Sequence, residues 1–358
     1  MVNHMDAEKI PAVSIIIPMY NTEKYIEECL TSLVNQTLKN FEVIVVDDCS
    51  TDHSLAVAKK TIPLFATQNI KFSIITFSKN SGCPGIPRNV TIDFAKGKYV
   101  YFLDSDDFLD ETVLEEFYKV AEEFVADVVH AQKSFKYAEI NGKFENQLIN
   151  LDKGKFLEKP TLETFDIDER IKNFVEKNYN TLVWNKFFRR EFLLENNIKF
   201  PAINISEDYV FTIMCFTCAK QCVRIPFIGH HYRRNETSVT HSETTLIKYS
   251  WNLVEGVYLL DNFMQNKKFF IENPNYRYLA IEFFYKLFSD KISKYVFEGL
   301  DLNPGEMYVG NHDTVFSLNP QKTMPLASYL FVSNTIYEWL LKQQAAEIER
   351  LQKLLQDK

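Results

Sequence analysis

The chain has 358 residues, of which 46% are hydrophobic and 14% aromatic, enough for one large α/β domain and a smaller second region. Its net charge of −8 argues against binding by charge to nucleic acid, so we expect no nucleic-acid partner. No run approaches the roughly 20 apolar residues of a membrane span, and residues 1–11 lack an apolar signal-peptide core. We therefore expect a cytoplasmic protein, with the inner face of the membrane as the alternative location.

The first 105 residues alternate short apolar, β-prone runs with helical patterns. The predicted strands cover residues 13–17, 42–46, 72–76 and 99–103. Ile26, Leu30 and Leu33 have the spacing of an amphipathic helix, and a second, short helix is predicted over 88–95. This alternation predicts an α/β fold, with a mostly parallel sheet covered by helices on both faces.

Polar residues follow each predicted strand, at Asn21, Asp48, Asn80 and Asp104. In an open α/β sheet the carboxyl ends of the strands meet at one edge, where ligands bind. Three carboxylates lie within residues 104–107, and we expect a hard cation, Mg²⁺ or Mn²⁺, to offset their repulsion. The alternative is a set of ordinary polar turns, the last of which caps a helix from Asp110 onward.

The second half of the chain is less regular. Residues 130–180 predict a β-hairpin and loops, and residues 182–188 form an aromatic segment around Trp184 and Asn185. Glu207 and Asp208 open an apolar helix, where they complement the helix dipole or place a carboxylate at the mouth of a cleft. Residues 230–241 are rich in hydrogen-bond donors, with a solvated basic loop as the alternative reading.

Three of the six cysteines have a spacing that resembles half of a zinc site. Cys215, Cys218 and Cys222 fall at i, i+3 and i+7 in an apolar segment, which would place them on one face of a helix. No second Cys or His pair follows at zinc-site spacing. We therefore expect them to be small core residues rather than metal ligands.

The composition changes near residue 245, where aromatic helical patterns begin. Leu341, Ile348 and Leu355 are seven residues apart, but the repeat is too short for a confident coiled coil. We expect a catalytic domain over 1–242, with a nucleotide half (13–107) and an acceptor half (108–242). A helical region over 243–358 would follow, and we expect it to support self-association or docking to a membrane or partner.

Five motifs in the first two-thirds of the chain, from residue 13 to about 241, resemble the family 2 glycosyltransferases of the GT-A fold. They are Ile17–Asn21, Val46–Asp52, Asn80–Gly82 with Pro87–Asn89, Asp104–Asp107, and Glu207–Asp208. Each motif is weak alone, but all five occur in the family's order and near its spacing. Residues 80–89 look like the version found in enzymes that decorate wall teichoic acids and capsules. Cys49 replaces the usual Gly, which suggests that its turn does not require a positive φ.

The resemblance implies a nucleotide-sugar site. Asp48 would contact the uracil edge, Pro18 and Tyr20 would line the base pocket, and Arg88 would lie on the phosphate or sugar side. Asp106 would hold the Mn²⁺ or Mg²⁺, with His241 as a further metal ligand. The remaining nucleotide-binding residues by this resemblance are Asn21, Asn80, Asp104 and Ser105.

The resemblance also implies an inverting transfer from a UDP-sugar to a hydroxyl of a cell-surface glycan or lipid-linked acceptor. Asp208 would be the general base, with Glu207 in support. Trp184 and Asn185 are candidates for the acceptor side, although a core tryptophan is an equal alternative. Arg234 would close over the diphosphate. A catalytically silent nucleotide-sugar-binding partner is the competing hypothesis. A nucleotidyltransferase is disfavoured because residues 17–24 lack glycine.

Overall fold

The computed structural model describes residues 10–140, 143–152, 156–177, 180–204, 206–233, 245–274, 276–277 and 279–281. The chain divides into two compact units. The first is Met1–Ala202 with Phe211–Asn235, and the second is Ile203–Val210 with Glu236–Lys358. Among the described residues, no helix is both long and apolar enough to cross a bilayer.

The described elements alternate between strands and helices through the first unit. The strands are β1 Val13–Met19, β2 Phe41–Asp47, β3 Lys71–Thr76, β4 Tyr99–Phe102, β5 Phe108–Leu109, β6 Val128–Ala131, β7 Lys133–Ile140, β8 Lys143–Asn150, β9 Thr161–Leu162, β10 Lys186–Arg189, β11 Cys222–Ile225 and β12 His230–Arg233. The helices are α1 Ile26–Val34, α2 Ser54–Thr67, α3 Gly85–Phe94, α4 Val113–Glu123, α5 Ile167–Lys177, α6 Arg190–Glu195, α7 Glu207–Cys218, α8 Thr245–Gln265 and α9 Lys268–Glu272.

An eight-stranded mixed sheet forms the centre of the first unit, in the order β3-β2-β1-β4-β10-β6-β11-β9. Strands β3, β2, β1 and β4 are parallel, as the sequence predicts. Strand β10 then runs antiparallel to both of its neighbours, β4 and β6. The carboxyl ends of the first four strands therefore lie along one edge of the sheet.

Helices bury both faces of this sheet. On one face Leu30 of α1, Phe65 of α2 and Phe117 of α4 join the apolar core formed by alternate residues of β1, β2 and β4. On the other face Phe102 of β4 meets Phe211 of α7, with ring centroids 5.7 Å apart. Because both faces are covered, these strands are apolar along nearly their whole length, which explains why the sequence pattern identifies them.

A second sheet of four strands, in the order β5-β12-β7-β8, extends from the point where the large sheet's β4 ends. Strands β7 and β8 form an antiparallel hairpin, within the region where the sequence predicts one. Strand β12 lies between β5 and β7. Since β5 begins directly after the acidic stretch 104–107, its pairing with β12 brings residues 230–233 beside that stretch.

Two sequence predictions are wrong in detail. Cys49 has φ +62°, so its turn does adopt the left-handed conformation that glycine favours, and the cysteine takes it at a steric cost. Helix α7 ends at Cys218, and Cys222 begins β11, so the three cysteines do not share a helix face. The turn after Cys218 interrupts the helical period that the apolar spacing suggested.

The second unit contains the first residues of α7 and the helices α8 and α9. Within it, Arg277 forms an ion pair with the largely buried Asp261, at 2.7 Å from Nε to Oδ1. The heptad-like positions Leu341, Ile348 and Leu355 lie outside the described residues. Their role in self-association stays a prediction.

Candidate active site

The strand ends of β1, β2 and β3 are tied together by polar side chains at the carboxyl edge. Asp48, which follows β2, accepts hydrogen bonds from the Ser81 N–H and hydroxyl, both at 2.8 Å. Asn80 donates to the Asp48 carbonyl at 3.0 Å. Asn21, which follows β1, accepts from the Thr51 N–H at 2.8 Å. The residues that the sequence singled out at this edge are therefore neighbours in the fold.

An exposed aromatic ring lies next to Asp48 along the end of β1. The Asp48 N–H donates to the Met19 carbonyl at 2.9 Å, and Met19 is flanked by Tyr20, which is 47% exposed, and by the half-buried Pro18. Asp48 is nearly buried, and each of its carboxylate oxygens has at least one lone pair beyond the Ser81 bonds. An exposed ring next to a carboxylate that can still accept a hydrogen bond suits a flat heterocycle with an N–H at its edge.

Arg88 and Asp104 form an ion pair just after the end of β4. Arg88 is 4% exposed, and its Nη2 lies 2.8 Å from Asp104 Oδ1. The guanidinium carbon also lies 5.2 Å from the centre of the Phe200 ring. The pair links α3 to the end of β4, so Asp104 has a protein cation as its partner.

Asp107 lies in the protein interior, in contact with β12. It is 1% exposed, accepts a hydrogen bond from the Arg233 N–H at 2.8 Å, and lies 2.9 Å from His230 Nε2. On the other side of that ring, His230 Nδ1 lies 2.9 Å from the Tyr101 hydroxyl. Burial, followed by the nearby Asp104 charge, raises the pKa of Asp107, and burial lowers the pKa of His230 to about 3.

The acidic stretch therefore differs from the cluster that the sequence predicts. Asp104 pairs with Arg88, and Asp107 is bound to β12. Ser105, which lies between them in the chain, is buried. Cations and hydrogen-bond donors of the protein therefore offset most of the repulsion between these carboxylates, a role that we expected a metal to have. Only Asp106 and Asp104 keep partly exposed carboxylates.

The acidic turn offers few side-chain donors to a hard divalent cation. In the described part of the chain, no group of three or more His, Cys, Asp or Glu side chains is placed to hold a metal. Mg²⁺ and Mn²⁺ at nucleotide sites commonly take one or two carboxylates and complete their shell with phosphates and water. Asp106, with Asp104 beside it, fits that arrangement. His241 and Arg234 lie outside the described residues.

Trp184 and Asn185 lie in the interior rather than on an open acceptor surface. Trp184 is 5% exposed, and its ring stacks on those of His230 and Tyr232 at centroid distances of 4.5 and 5.5 Å. Asn185 is 1% exposed, has φ +61°, and donates to the Lys133 carbonyl at 2.8 Å. In this structure both residues hold the loop before β10, so the core alternative for the tryptophan describes it better.

Glu207 and Asp208 form the start of α7, in the second unit. The preceding Ser206 has φ +76°, so the chain turns sharply into the helix. Asp208 is half-buried, and its Oδ1 accepts a hydrogen bond from the Tyr209 N–H at 2.9 Å. The positive end of the helix dipole favours an ionised carboxylate at this position.

The sequence pattern missed two residues that the structure places at the acidic turn, His230 and Arg233. Both lie on β12 and contact residues more than 120 positions earlier in the chain. Their only signal was the density of donors in residues 230–241, which is equally typical of a solvated loop. The pairing of β5 with β12, which brings them to the turn, is not encoded in any local pattern.

Comparison with known proteins identifies the family. A sequence model described as "Glycosyl transferase family 2" matches residues 14–218. A poly(ribitol-phosphate) beta-glucosyltransferase of Bacillus spizizenii is 37% identical over 58% of this chain but only 30% of its own length. The chain thus spans about a third of that curated relative. A cholesterol galactosyltransferase of Borreliella burgdorferi is 32% identical over 73% of this chain and 72% of its own.

Solved structures give the same answer for the fold. The S. aureus TarS fragment 1–349 in complex with UDP-GlcNAc superposes with a TM-score of 0.63 at 25% identity. The match covers 89% of this chain and 81% of that one. The same fragment in complex with UDP matches with a TM-score of 0.60 at 26% identity, over 82% of this chain and 76% of that one.

Proposed function

The chain belongs to glycosyltransferase family 2, and from that premise we propose that it moves a sugar from a UDP-sugar to a hydroxyl of a bacterial cell-surface polymer. Family membership and the GT-A fold, both expected from the sequence, are confirmed by the comparisons. The activity, the donor and the acceptor are the proposal. Relatives that act on poly(ribitol-phosphate) suggest a polyol-phosphate polymer as the acceptor.

One observation carries the proposal: Asp48 and the acidic turn at Asp104–Asp106 follow parallel strands β2 and β4 at the same edge of one sheet. The Asp48 carboxylate suits the N–H edge of a base, and the turn suits a diphosphate with its cation. We propose that Asp48 accepts a hydrogen bond from the uracil N3–H while Tyr20 borders the ring. Pro18, Asn21 and Asn80 would complete this end of the site.

The residues of the acidic turn would prepare the donor for departure of its diphosphate. Asp106, assisted by Asp104, would hold Mn²⁺ or Mg²⁺, which when bound supplies positive charge to the leaving group. Arg88 would add a guanidinium on the phosphate or sugar side, although its pairing with Asp104 limits its freedom. Arg234 and His241 stay proposed contributors to the diphosphate and metal.

We propose Asp208 as the general base, with Glu207 supporting it. The positive end of the helix dipole favours the ionised carboxylate that a base at neutral pH requires. It would take the proton of the acceptor hydroxyl while that oxygen attacks the anomeric carbon and the bond to the diphosphate breaks. A single displacement of this kind inverts the anomeric configuration. The resemblance of Glu207–Asp208 to the family motif supports this assignment.

The decisive experiment gives the full chain UDP-, GDP- and CMP-sugars with Mn²⁺, with and without poly(ribitol-phosphate). We expect consumption of a UDP-sugar, transfer to the polymer, and loss of both in EDTA. Calorimetry should show tighter binding of UDP than of GDP. Tighter GDP binding would contradict the role of Asp48, and full activity in EDTA would remove the metal.

A matched pair of variants tests the acidic turn in the same assay. Asp106→Ala should abolish transfer and leave the protein folded, because the change removes one negative charge from an acidic stretch. Asp93→Ala, at an exposed aspartate of α3 in a surface pair with Lys199, should transfer at the wild-type rate. UDP binding without turnover of any donor, by a folded wild-type protein, would instead favour the silent binding partner.

A further inference from the structure

The main chain of the acidic turn is held by one side chain from β12, that of Arg233. Its Nε donates to the Asp106 carbonyl oxygen at 2.9 Å, and its Nη2 forms an ion pair with Glu28 of α1. Its own N–H donates to the Asp107 carboxylate. Arg233 therefore connects α1, β12 and the two residues at the end of the turn.

Aromatic rings surround this guanidinium and restrict its orientation. The guanidinium carbon lies 5.3 Å from the ring centres of Tyr25 and Phe108, and 4.8 Å from that of Tyr137. Arg233 is only 8% exposed. A planar guanidinium can stack on rings while its N–H groups donate in two directions, which a lysine ammonium cannot reproduce.

We propose that Arg233 is a positioning residue for the metal and diphosphate end of the donor site. It holds the main chain of Asp106 in the conformation from which the Asp106 carboxylate would bind the metal ion of the nucleotide diphosphate. The proposal rests on the function proposed above, because it assumes that Asp106 meets a metal-bound nucleotide.

The geometry supports a role in binding as well as in stability. The Asp107 N–H donates to the Asp104 carbonyl at 3.0 Å, so the turn is closed from within. The Asp107 carboxylate is fixed by His230 and by the Arg233 main chain. The Asp106 carbonyl is then held through the Arg233 side chain, which makes this contact separable by mutation from the others.

The test uses Arg233→Lys in the full chain, since this variant keeps the charge and the main-chain bond to Asp107 but loses the two-way guanidinium contact. The control is Arg189→Lys. Arg189 donates twice to Asp127 Oδ1, at 2.9 and 2.7 Å, and pairs with Tyr99 at the start of β4, opposite the acidic turn. Arg233→Lys loses a guanidinium contact to a carbonyl, and Arg189→Lys loses one to a carboxylate, within the same unit.

Three quantities are measured for each protein: Mn²⁺ binding in the presence of UDP, followed by the electron paramagnetic resonance of free Mn²⁺; UDP binding with Mn²⁺ by calorimetry; and the melting temperature. We expect Arg233→Lys to weaken UDP-dependent Mn²⁺ binding roughly tenfold, the usual worth of a hydrogen bond from a charged donor. Arg189→Lys should lower the melting temperature about as much as Arg233→Lys does. It should bind Mn²⁺ and UDP as the wild type does.

A milder pair covers the case in which Arg233→Lys does not fold. Glu28→Gln removes the ion-pair partner of Arg233 and should weaken Mn²⁺ binding with UDP by a few-fold. Glu27→Gln, at the exposed neighbouring position of α1, should leave it unchanged.

Wild-type binding by folded Arg233→Lys, or by Glu28→Gln where only that variant folds, overturns the positioning role and leaves the proposed function standing. A wild-type chain that binds no UDP in the presence of Mn²⁺ overturns the proposed function, and the positioning role with it.

Discussion

The two halves of the eight-stranded sheet bury very different side chains. Strands β1, β2 and β4 are apolar along nearly their whole length and become polar at their carboxyl ends. Strands β10, β6 and β11 instead carry Lys186, His130 and Arg224 as direct cross-strand neighbours in one buried row. Apart from Glu42, which is buried near the start of β2, strands β1, β2 and β4 have their charge at the carboxyl edge, while β10, β6 and β11 carry charges in the interior.

Buried charges need compensation, and the second half supplies it from its loops. Arg224 pairs with Glu163 at 2.8 Å, and both are nearly buried. The Lys186 ammonium donates to the Leu182 carbonyl at 2.5 Å. Burial, then the charges of Lys186 and Arg224, lower the pKa of His130, which keeps that ring neutral. Polar residues thus lie at the edge proposed to bind the donor in the first half, and they form a structural network in the second.

The largest expected effect separates chemistry from nucleotide binding. Asp208→Asn should reduce transfer by roughly 10²–10⁴-fold, the usual worth of a positioned general base. UDP and Mn²⁺ binding should stay nearly unchanged, because the nucleotide site is proposed on strands β1–β4. A transfer assay, calorimetry and circular dichroism on the same variant measure this.

If Asp208 serves only to start helix α7, a different result is expected for Asp208→Asn. Asn can accept the same hydrogen bond from the Tyr209 N–H, so a purely structural residue would cost little stability and no activity. Near-normal transfer by the folded variant would remove Asp208 as the base. Glu207 would then be the next candidate.

The next effect tests whether the buried row is a compensated network. Lys186→Met should destabilise the protein by about 3 kcal/mol, since removal of one buried charge leaves its partners uncompensated. Burial raises the pKa of Asp152, and the Lys186 charge opposes that rise, so the two groups interact. Denaturant unfolding measures the loss.

A double-mutant cycle identifies the partner. Asp152→Asn combined with Lys186→Met should recover part of the lost stability. Strictly additive losses would show that the two side chains are independent. The exposed pair of Lys199 and Asp93 is the matched surface control, where neutralising the aspartate should cost under about 1 kcal/mol.

The smallest effect is a pH dependence of stability. Burial raises the pKa of Asp152 to about 6. Its Oδ1 accepts a hydrogen bond from the Asn180 N–H, and its Oδ2 accepts none from the described residues. Because the folded pKa lies above the unfolded one, near 3.9, the folded state binds more protons between these values. The contribution of Asp152 to stability is therefore highest at low pH and declines as the pH rises through about 6.

The matched measurement compares wild type with Asp152→Asn. Relative to that variant, the wild type should lose about 2 kcal/mol between about pH 4.5 and about pH 7.5. Parallel stability curves for the two proteins would show that Asp152 titrates normally.

The same contrast between halves explains where sequence reasoning succeeded. In the first half, strands β1–β4 and helix α1 were predicted within a few residues, because burial on both faces imposes apolar runs and helical spacing. In the second half, the cysteine spacing suggested one helix, but α7 ends at Cys218. Trp184 could not be placed from sequence, since an aromatic ring suits both a sugar and a core.

Local patterns of apolar and acidic residues predicted the parallel sheet and the polar edge, and the resemblance of five motifs predicted the family. Only the tertiary structure showed which partners the residues of the acidic stretch contact. Asp107 is bound by His230, and the main chain of Asp106 is held by Arg233, 127 positions away in the chain. Such contacts depend on the pairing of β5 with β12, a long-range choice that no local period records.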